Sequence, residues 1–322
     1  MYDLIGDIHG HAAPLKALLK AMDYFEQDGV WQHLERTVIF LGDFVDRGPE
    51  QLEVIRIARS MVEHGHAQAV MGNHEFNAVA WATPNAEIEG EYLRIHSDKN
   101  HNQHVEFLTQ VNADSELHEE IIAWFKTLPL YLDLEGLRVV HACWQPASLQ
   151  ELKHHTDDKN CILPEAWAEL TRKGSAGFEA LEIVLKGLEI PLPEGVDFAD
   201  KDGHRRQHIR TKWWDSKAVT YRDIAMVPLE IIELIPHEPI SDGLLSSYAN
   251  DKPVFLGHYW LNTDPAPLNE YIACLDYSIA AKPPKNGIDN RKLCAYRWSG
   301  EQLLCTENFI SVNHQGDIVN AR

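Results

Sequence analysis

The sequence predicts an α/β fold with parallel strands joined by helices. Apolar, β-branched runs alternate with amphipathic helical patterns through the first third of the chain. The first three of these runs end in Gly-Asp or Gly-Asn loops, and related polar loops follow apolar runs at His141 and His258. Polar residues on loops at strand ends are where open α/β sheets bind ligands.

Tyr2-Asp3-Leu4-Ile5 forms the first strand and runs into Gly6-Asp7-Ile8-His9-Gly10. Pro14 then opens a helix with Leu15, Leu18, Leu19 and Met22 on one face. Residues 37–41 make the second strand, ending in Gly42-Asp43-Phe44-Val45-Asp46-Arg47-Gly48. Pro49 starts a helix whose Leu52, Ile55, Ile57, Ala58 and Val62 give a broad apolar side. Residues 67–71 form the third strand and lead to Gly72-Asn73-His74-Glu75. This alternation calls for parallel strands with right-handed crossovers.

Residues 83–112 are polar, His-rich and weakly periodic, and read as an insertion over the sheet face. Its His96, His101 and His104, with His118 beyond, lack the paired spacing of a metal site and read as solvated loop histidines. Residues 115–128 return to helix, and a Glu135-Gly136 turn joins two strands of a hairpin that ends at His141-Ala142-Cys143. Residues 145–250 are the least regular, with a mostly helical stretch over 163–188 and a basic run over 204–212. A buried-type strand at 253–256 enters Gly257-His258. Residues 271–312 give three or four short strands, with Leu275-Asp276 among them and a hairpin turn at Ser299-Gly300. The chain reads as a single catalytic domain over 1–322, with cap-like insertions at about 83–112 and 145–250.

The formal net charge of −20 disfavours an extended nucleic-acid or anionic-membrane footprint. Five scattered cysteines without a C-x-x-C pair fit reduced thiols in a cytoplasmic protein. The first strand starts too early to leave room for a signal peptide, and no apolar run approaches the about 18 residues of a membrane span.

The runs GDIHG, GDFVDRG and GNHE, in that order and spacing, resemble the calcineurin-like metallophosphoesterase superfamily, and within it the phosphoprotein phosphatase branch of bacterial type. The resemblance implies a four-layer α/β/β/α sandwich, two β-sheets flanked by helices, with metals at one edge. It implies that Asp7 and His9 hold a first metal, that Asp43 bridges, and that Asn73, His141 and His258 complete the second site. The residue chemistry agrees: two cations about 3.5–4 Å apart need a shared anionic oxygen. Mixed oxygen and imidazole donors suit Mn, Fe or Zn, with Mn the first choice, better than Ca. Water acidified between the cations would attack phosphorus.

By the same resemblance His74 is the general acid for the leaving oxygen, Asp46 orients it, and Arg47 holds a phosphate oxygen with its planar fork. A second phosphate-clamping arginine is expected in the basic run, with Arg210 ahead of Trp213-Trp214 the candidate. Asn73 would also touch the phosphate. Glu75 reads as a supporting residue at a helix start. Cys143 and Trp144 depart from the family's usual glycine: the added bulk either narrows the pocket, stacks on a substrate ring or packs in the core, and Cys143 itself reads as a small buried residue. The implied activity is a dimetal phosphomonoesterase acting on a phosphorylated protein or a small phosphoester. The Asp46–His74 pair and GNHE rather than GNHD favour phosphoprotein, with a nucleotide or dinucleoside polyphosphate the alternative. An RNA or DNA end phosphatase and an inactive scaffold are the remote readings.

Overall fold

The computed structural model describes residues 1–199, 204–245, 248–284 and 289–320. Strand β1 (Tyr2–Ile5) is followed by α1 (Ala12–Ala21), a hairpin of β2 (Phe25–Gln27) and β3 (Val30–Gln32), and β4 (Thr37–Phe40). Then come α2 (Gln51–Glu63), β5 (Ala67–Ala69), α3 (Asn73–Ala82), α4 (Asp98–Val111) and α5 (Glu116–Phe125). β6 (Tyr131–Asp133) and β7 (Arg138–Val140) precede α6 (Pro146–Leu152), α7 (Trp167–Thr171) and α8 (Ala176–Lys186). Short strands β8 (Glu189–Pro191), β9 (Phe198–Ala199), β10 (Arg205–Arg206) and β11 (His208–Arg210) lead to α9 (Tyr221–Ile224) and α10 (Leu229–Ile232). The last strands are β12 (Val254–Leu256), β13 (Ile272–Cys274), β14 (Asp276–Tyr277), β15 (Lys292–Trp298), β16 (Phe309–Asn313) and β17 (Ile318–Asn320).

Two sheets carry the architecture. One runs β17-β16-β15-β1-β4-β5 with β14 on β15, and the other runs β13-β12-β7-β6. As the alternation predicts, β1, β4 and β5 are mutually parallel, and β7, β12 and β13 are parallel in the second sheet. Side chains alternate across each strand, so one face of each sheet meets the other sheet. Leu4, Ile39 and Tyr296 from the first sheet pack with Val139, Phe255 and Ala273 from the second. Their neighbours Ile5, Val38, Phe40 and Ala295 turn the other way, into the cluster that holds Leu15 and Leu18 of α1 and Val54 and Ala58 of α2. Truncating a fully buried ring such as Phe255 to Ala would cost roughly 3–5 kcal/mol.

The structure corrects three local expectations. The Phe25–Gln32 hairpin was not expected, although its Asp28-Gly29 turn, with both residues at positive φ, is a strong two-residue hairpin signal. β15 and β16 are joined by residues 299–308 with a turn of 3₁₀ helix at Thr306–Asn308, not by a tight Ser299-Gly300 turn. The third correction bears on function. Within residues 83–112, expected to be irregular, lies the 14-residue helix α4, N-capped by Ser97. Its buried positions are His104, Phe107, Leu108 and Val111, a helical stripe hidden in the sequence by the polar first turns.

Candidate dimetal active site

Every polar loop picked out in the sequence leaves the carboxyl end of a parallel strand. Asp7 and His9 follow β1, Asp43, Asp46 and Arg47 follow β4, and Asn73 and His74 open α3 directly after β5. His141 follows β7, His258 follows β12, and Asp276 lies just past β13. The backbone there is forced into unusual shapes: His9, Asp43, Asp46, Arg47, His258 and Trp260 all have positive φ. Such conformations persist only where surrounding bonds over-determine them, and they cluster at functional sites. Two glycines permit the crowding. A Cβ on Gly257 would lie 2.0 Å from Asp7 Oδ1, and one on Gly72 would lie 2.2 Å from Asp43 Oδ1.

Asp43 stands at the centre. Donor atoms of His9, Asp43 and His74 lie within 4.8 Å of one another, as do those of Asp43, His141 and His258. Asp43 Oδ2 is 3.5 Å from His9 Nε2, and its Oδ1 is 3.4 Å from His141 Nε2. The imidazoles are turned for ligation by backbone carbonyls: His9 Nδ1 sits 2.9 Å from Val45 O and His141 Nδ1 2.7 Å from Leu41 O. An Nδ1–H donated to a carbonyl leaves the Nε2 lone pair facing inward. Asn73 Oδ1 lies 2.8 Å from His258 Nδ1 and 3.2 Å from His141 Nε2. Asp7 accepts from the His258 amide at 3.0 Å.

The residues fit a pair of cations. Asp7 Oδ1, His9 Nε2 and His258 Nε2 are buried with no hydrogen-bond partner. Buried polar atoms without partners are costly unless something else satisfies them. Burial, then the neighbouring Asp276 and Asp43 charges, raise the Asp7 pKa well above the usual carboxylate range. Burial pushes Asp276 up to about 6. Crowded carboxylates of this kind call for positive charge. Burial and His74 lower His9 to about 3, and burial, His141 and Arg210 lower His258, so both imidazoles stay neutral as ligands must.

Beside the cluster, His74 Nδ1 meets Asp46 Oδ2 at 2.5 Å. Burial opposes its charge, yet Asp43 and Asp46 together carry the His74 pKa above its ordinary value. An upward shift is the direction that favours the proton-carrying form a general acid uses. Glu75 locks the site's two main loops together, accepting from the amides of Asp43 and Phe44, both at 2.8 Å, and Gly72 at 3.0 Å. Arg47 is exposed, and its guanidinium lies 4.5 Å from the ring of Trp260.

One residue taken for a solvated loop histidine belongs here. His104 is buried and its Nδ1 lies 2.5 Å from Asp46 Oδ1, so the Asp46 carboxylate is gripped by two imidazoles. Gln110 of the same helix accepts from Gln51 N and donates to Pro49 O, both at 2.8 Å, while Gln51 Oε1 accepts from Asp46 N at 2.7 Å. His118 is also buried, against Phe107. His96 stacks between Trp81 and Tyr92, with centroids 3.7 and 4.1 Å away. The i, i+3, i+4, i+7 spacing of His104 to Val111 was the available signal for α4.

Arg210 sits on β11, with a guanidinium nitrogen 3.4 Å from Glu189, and its charge reaches His258 and Tyr259. Its buried Nε has no hydrogen-bond partner. Cys143 and Trp144 are core residues: Trp144 packs edge-on to Tyr131, 5.4 Å between centroids. Among the described residues no helix is long and apolar enough to cross a membrane.

The calcineurin-like phosphoesterase family profile matches residues 2–174, just over half of the chain. The asymmetrical bis(5'-nucleosyl)-tetraphosphatase PrpE of Oceanobacillus iheyensis is 30% identical over 149 residues, 44% of this chain and 54% of that protein. Its Bacillus subtilis counterpart is 32% identical over 145 residues, 44% and 57% of the two chains. The symmetrical bis(5'-nucleosyl)-tetraphosphatase of Pectobacterium atrosepticum is 32% identical over 140 residues, 43% of this chain and 41% of that protein. The chain spans about half the length of the curated relatives it matches. A solved cold-active protein-tyrosine phosphatase of a psychrophilic Shewanella aligns over 100% of this chain and 80% of its own, at 16% identity and a TM-score of 0.49. With the family profile matched over residues 2–174, which carry every strand-end loop from Asp7 to His141, this chain belongs to the calcineurin-like phosphoesterase family.

Proposed function

We propose that the chain is a dimetal phosphohydrolase whose whole length works as one catalytic unit. Asp7, His9 and Asp43 would hold one cation, and Asp43, Asn73, His141 and His258 the other. The observation that carries this reading is one carboxylate, Asp43, shared by two separate groups of buried ligand-type side chains. The mixed oxygen and imidazole set suits Mn first, then Fe or Zn. When bound, the cations supply an acidified water and Lewis-acid charge for the phosphoryl oxygens.

The protein's own groups do the rest. The amino end of α3, at Asn73 and His74, turns a helix dipole toward a bound phosphoryl group, while the His74 amide itself donates to Asp43 at 3.0 Å. Arg47, steadied over Trp260, and Arg210, beside His258, clamp its outer oxygens. His74 gives its proton to the leaving oxygen, and Asp46 holds the imidazole in position through Nδ1.

For the substrate we place a small nucleotide polyphosphate first. The cavity beside His74, about 240 Å³, is lined by Arg47, Arg94 and Lys186 and is predominantly polar. The tetraphosphatase relatives support the same order. A phosphoprotein, favoured by GNHE and the Asp46–His74 pair, is the second reading.

Mn-loaded protein should bind two equivalents of metal and hydrolyse an aryl phosphate monoester and a dinucleoside tetraphosphate. His74→Asn should lower kcat by roughly 10²–10⁴ with metal content unchanged. Turnover of phosphopeptide with none of the nucleotide would put the second reading first. Absence of both metal binding and turnover would overturn the enzyme reading.

A further inference from the structure

The cavity at His74 does not close behind the dyad. It continues past Asn77, Arg94, Gln103 and Lys186 into a groove of about 590 Å³ between α3, α4 and the α7–α8 region. His74 is placed to protonate a leaving group, so whatever leaves must extend along this groove.

Arg94 is built into its wall. Its amide donates to Ala80 O at 3.0 Å, fixing the backbone against the end of α3. Its guanidinium donates to Asn77 Oδ1, to Asn100 Oδ1 at 3.2 Å and to Gln103 Oε1 at 3.0 Å. All three partners are neutral amides. Other arginines are matched with carboxylates, including Arg36, Arg56, Arg59, Arg138, Arg172 and Arg222. Among the described residues Arg47 and Arg94 have no carboxylate in an ion pair, and both face this cavity. In a chain of net charge −20, two arginines oriented without counter-ions mark places where an anion is received. Burial lowers the Arg94 pKa although the Asp46 and Glu182 charges oppose the shift, neither of them close enough to pair with the guanidinium.

We infer that Arg94 forms a second phosphate subsite, holding the phosphate of the leaving group one anhydride linkage beyond the phosphorus under attack. This rests on the phosphohydrolase reading of the site and deepens it. In the reaction a P–O bond forms to the water oxygen and the P–O bond to the bridging oxygen breaks. Water releases a proton to solvent, and His74 donates one to the departing phosphate, whose charge Arg94 meets. A serine, threonine or tyrosine leaving group is uncharged once protonated and has no use for this cation, so the subsite selects polyphosphate chains. Lys186, steadied by Glu182 one turn earlier, adds a second positive charge on the same side.

The test compares Arg94→Gln and Arg94→Lys with wild type as Mn-loaded holoenzymes. The substrates are a dinucleoside tetraphosphate and an aryl phosphate, which lacks the second phosphate. For Arg94→Gln the kcat/KM on the tetraphosphate should fall roughly 10- to 100-fold, with aryl phosphate turnover within about 3-fold of wild type. Arg94→Lys should recover part of the loss, because it returns charge without the fork. Equal losses on both substrates would show that Arg94 only supports the wall, and no loss on either would show that it binds nothing. A methylene-bridged nucleotide analogue, tested as a competitive inhibitor of aryl phosphate hydrolysis, separates this proposal from the choice of substrate. If wild type cleaves no polyphosphate, a Ki at least about 10-fold weaker in Arg94→Gln still supports the subsite, and an unchanged Ki overturns it.

Discussion

The site proposed for this chain has two halves with different origins. The metal half is made of loops at the carboxyl ends of β1, β4, β5, β7 and β12, each a few contiguous residues after an apolar strand. The leaving-group half comes from α4, the segment before it and the end of α8, with His104, Arg94, Gln103 and Lys186 contributed singly. Ligand chemistry must be concentrated, since several donors have to converge on one point, so it writes itself into the sequence as motifs. Substrate selection needs only one fixed side chain at a time, and a single arginine or histidine in a polar helix carries no local signature.

The largest effect should come from the centre of the metal half. Asp43→Ala removes the one carboxylate common to both ligand groups and the acceptor of the His74 amide, 3.0 Å away. Bound metal should fall from two equivalents to one or none, and kcat by at least about 10³. Two tightly held equivalents in Asp43→Ala would mean that the shared-carboxylate arrangement is misassigned.

A smaller effect should come from the seam between the halves. His104→Ala frees Asp46 Oδ1 but leaves the Asp46–His74 contact and every ligand in place. Activity on all substrates should drop about 10-fold, in the range seen when a partner behind a working residue is removed. Despite burial, His104 and then His74 hold the Asp46 carboxyl below its ordinary range. Losing His104 lets the Asp46 pKa climb, so the acid limb of the pH–rate profile should move to higher pH. His104→Gln, which keeps a donor, should restore most of the rate. A drop in thermal stability with no change in the profile would reduce His104 to packing.

Much of the fold could be read in advance, and for physical reasons. Burying alternate residues of β1, β4 and β5 on both faces requires nearly continuous apolar runs, which the sequence displays. α4 was misread because Asp98, Lys99, Asn100, His101 and Asn102 lie on turns that face solvent or hydrogen-bond partners, so its apolar stripe covers only the second half. Arg94 sits between Leu93 and Ile95, and nothing in those neighbours indicates that Asn77 and Gln103, from two different helices, will orient its fork. The Asp43 cluster is the opposite case: six short runs, distant in sequence, become one site through strand order alone.

The smallest predicted effect separates the halves by proton linkage. In the metal-free protein burial opposes the charge on His141, but Asp43 raises its pKa to about 10, against about 6.5 unfolded. Between those values the folded state holds a proton that the unfolded state has lost. That contribution is full below about 6.5 and is lost as pH rises toward 10. His74, also raised, acts in the same direction. Metal-stripped protein should therefore lose at least a few degrees of Tm, order of magnitude, between pH 7 and 9.5. Cations on His141 replace that proton, so in loaded protein this part of the slope should vanish, and the stabilisation added by metal should grow with pH. The difference between stripped and loaded curves therefore reports on the centre. Parallel curves would mean that His141 meets no metal, whereas His104→Ala should leave the difference intact, because the leaving-group half takes no part in it.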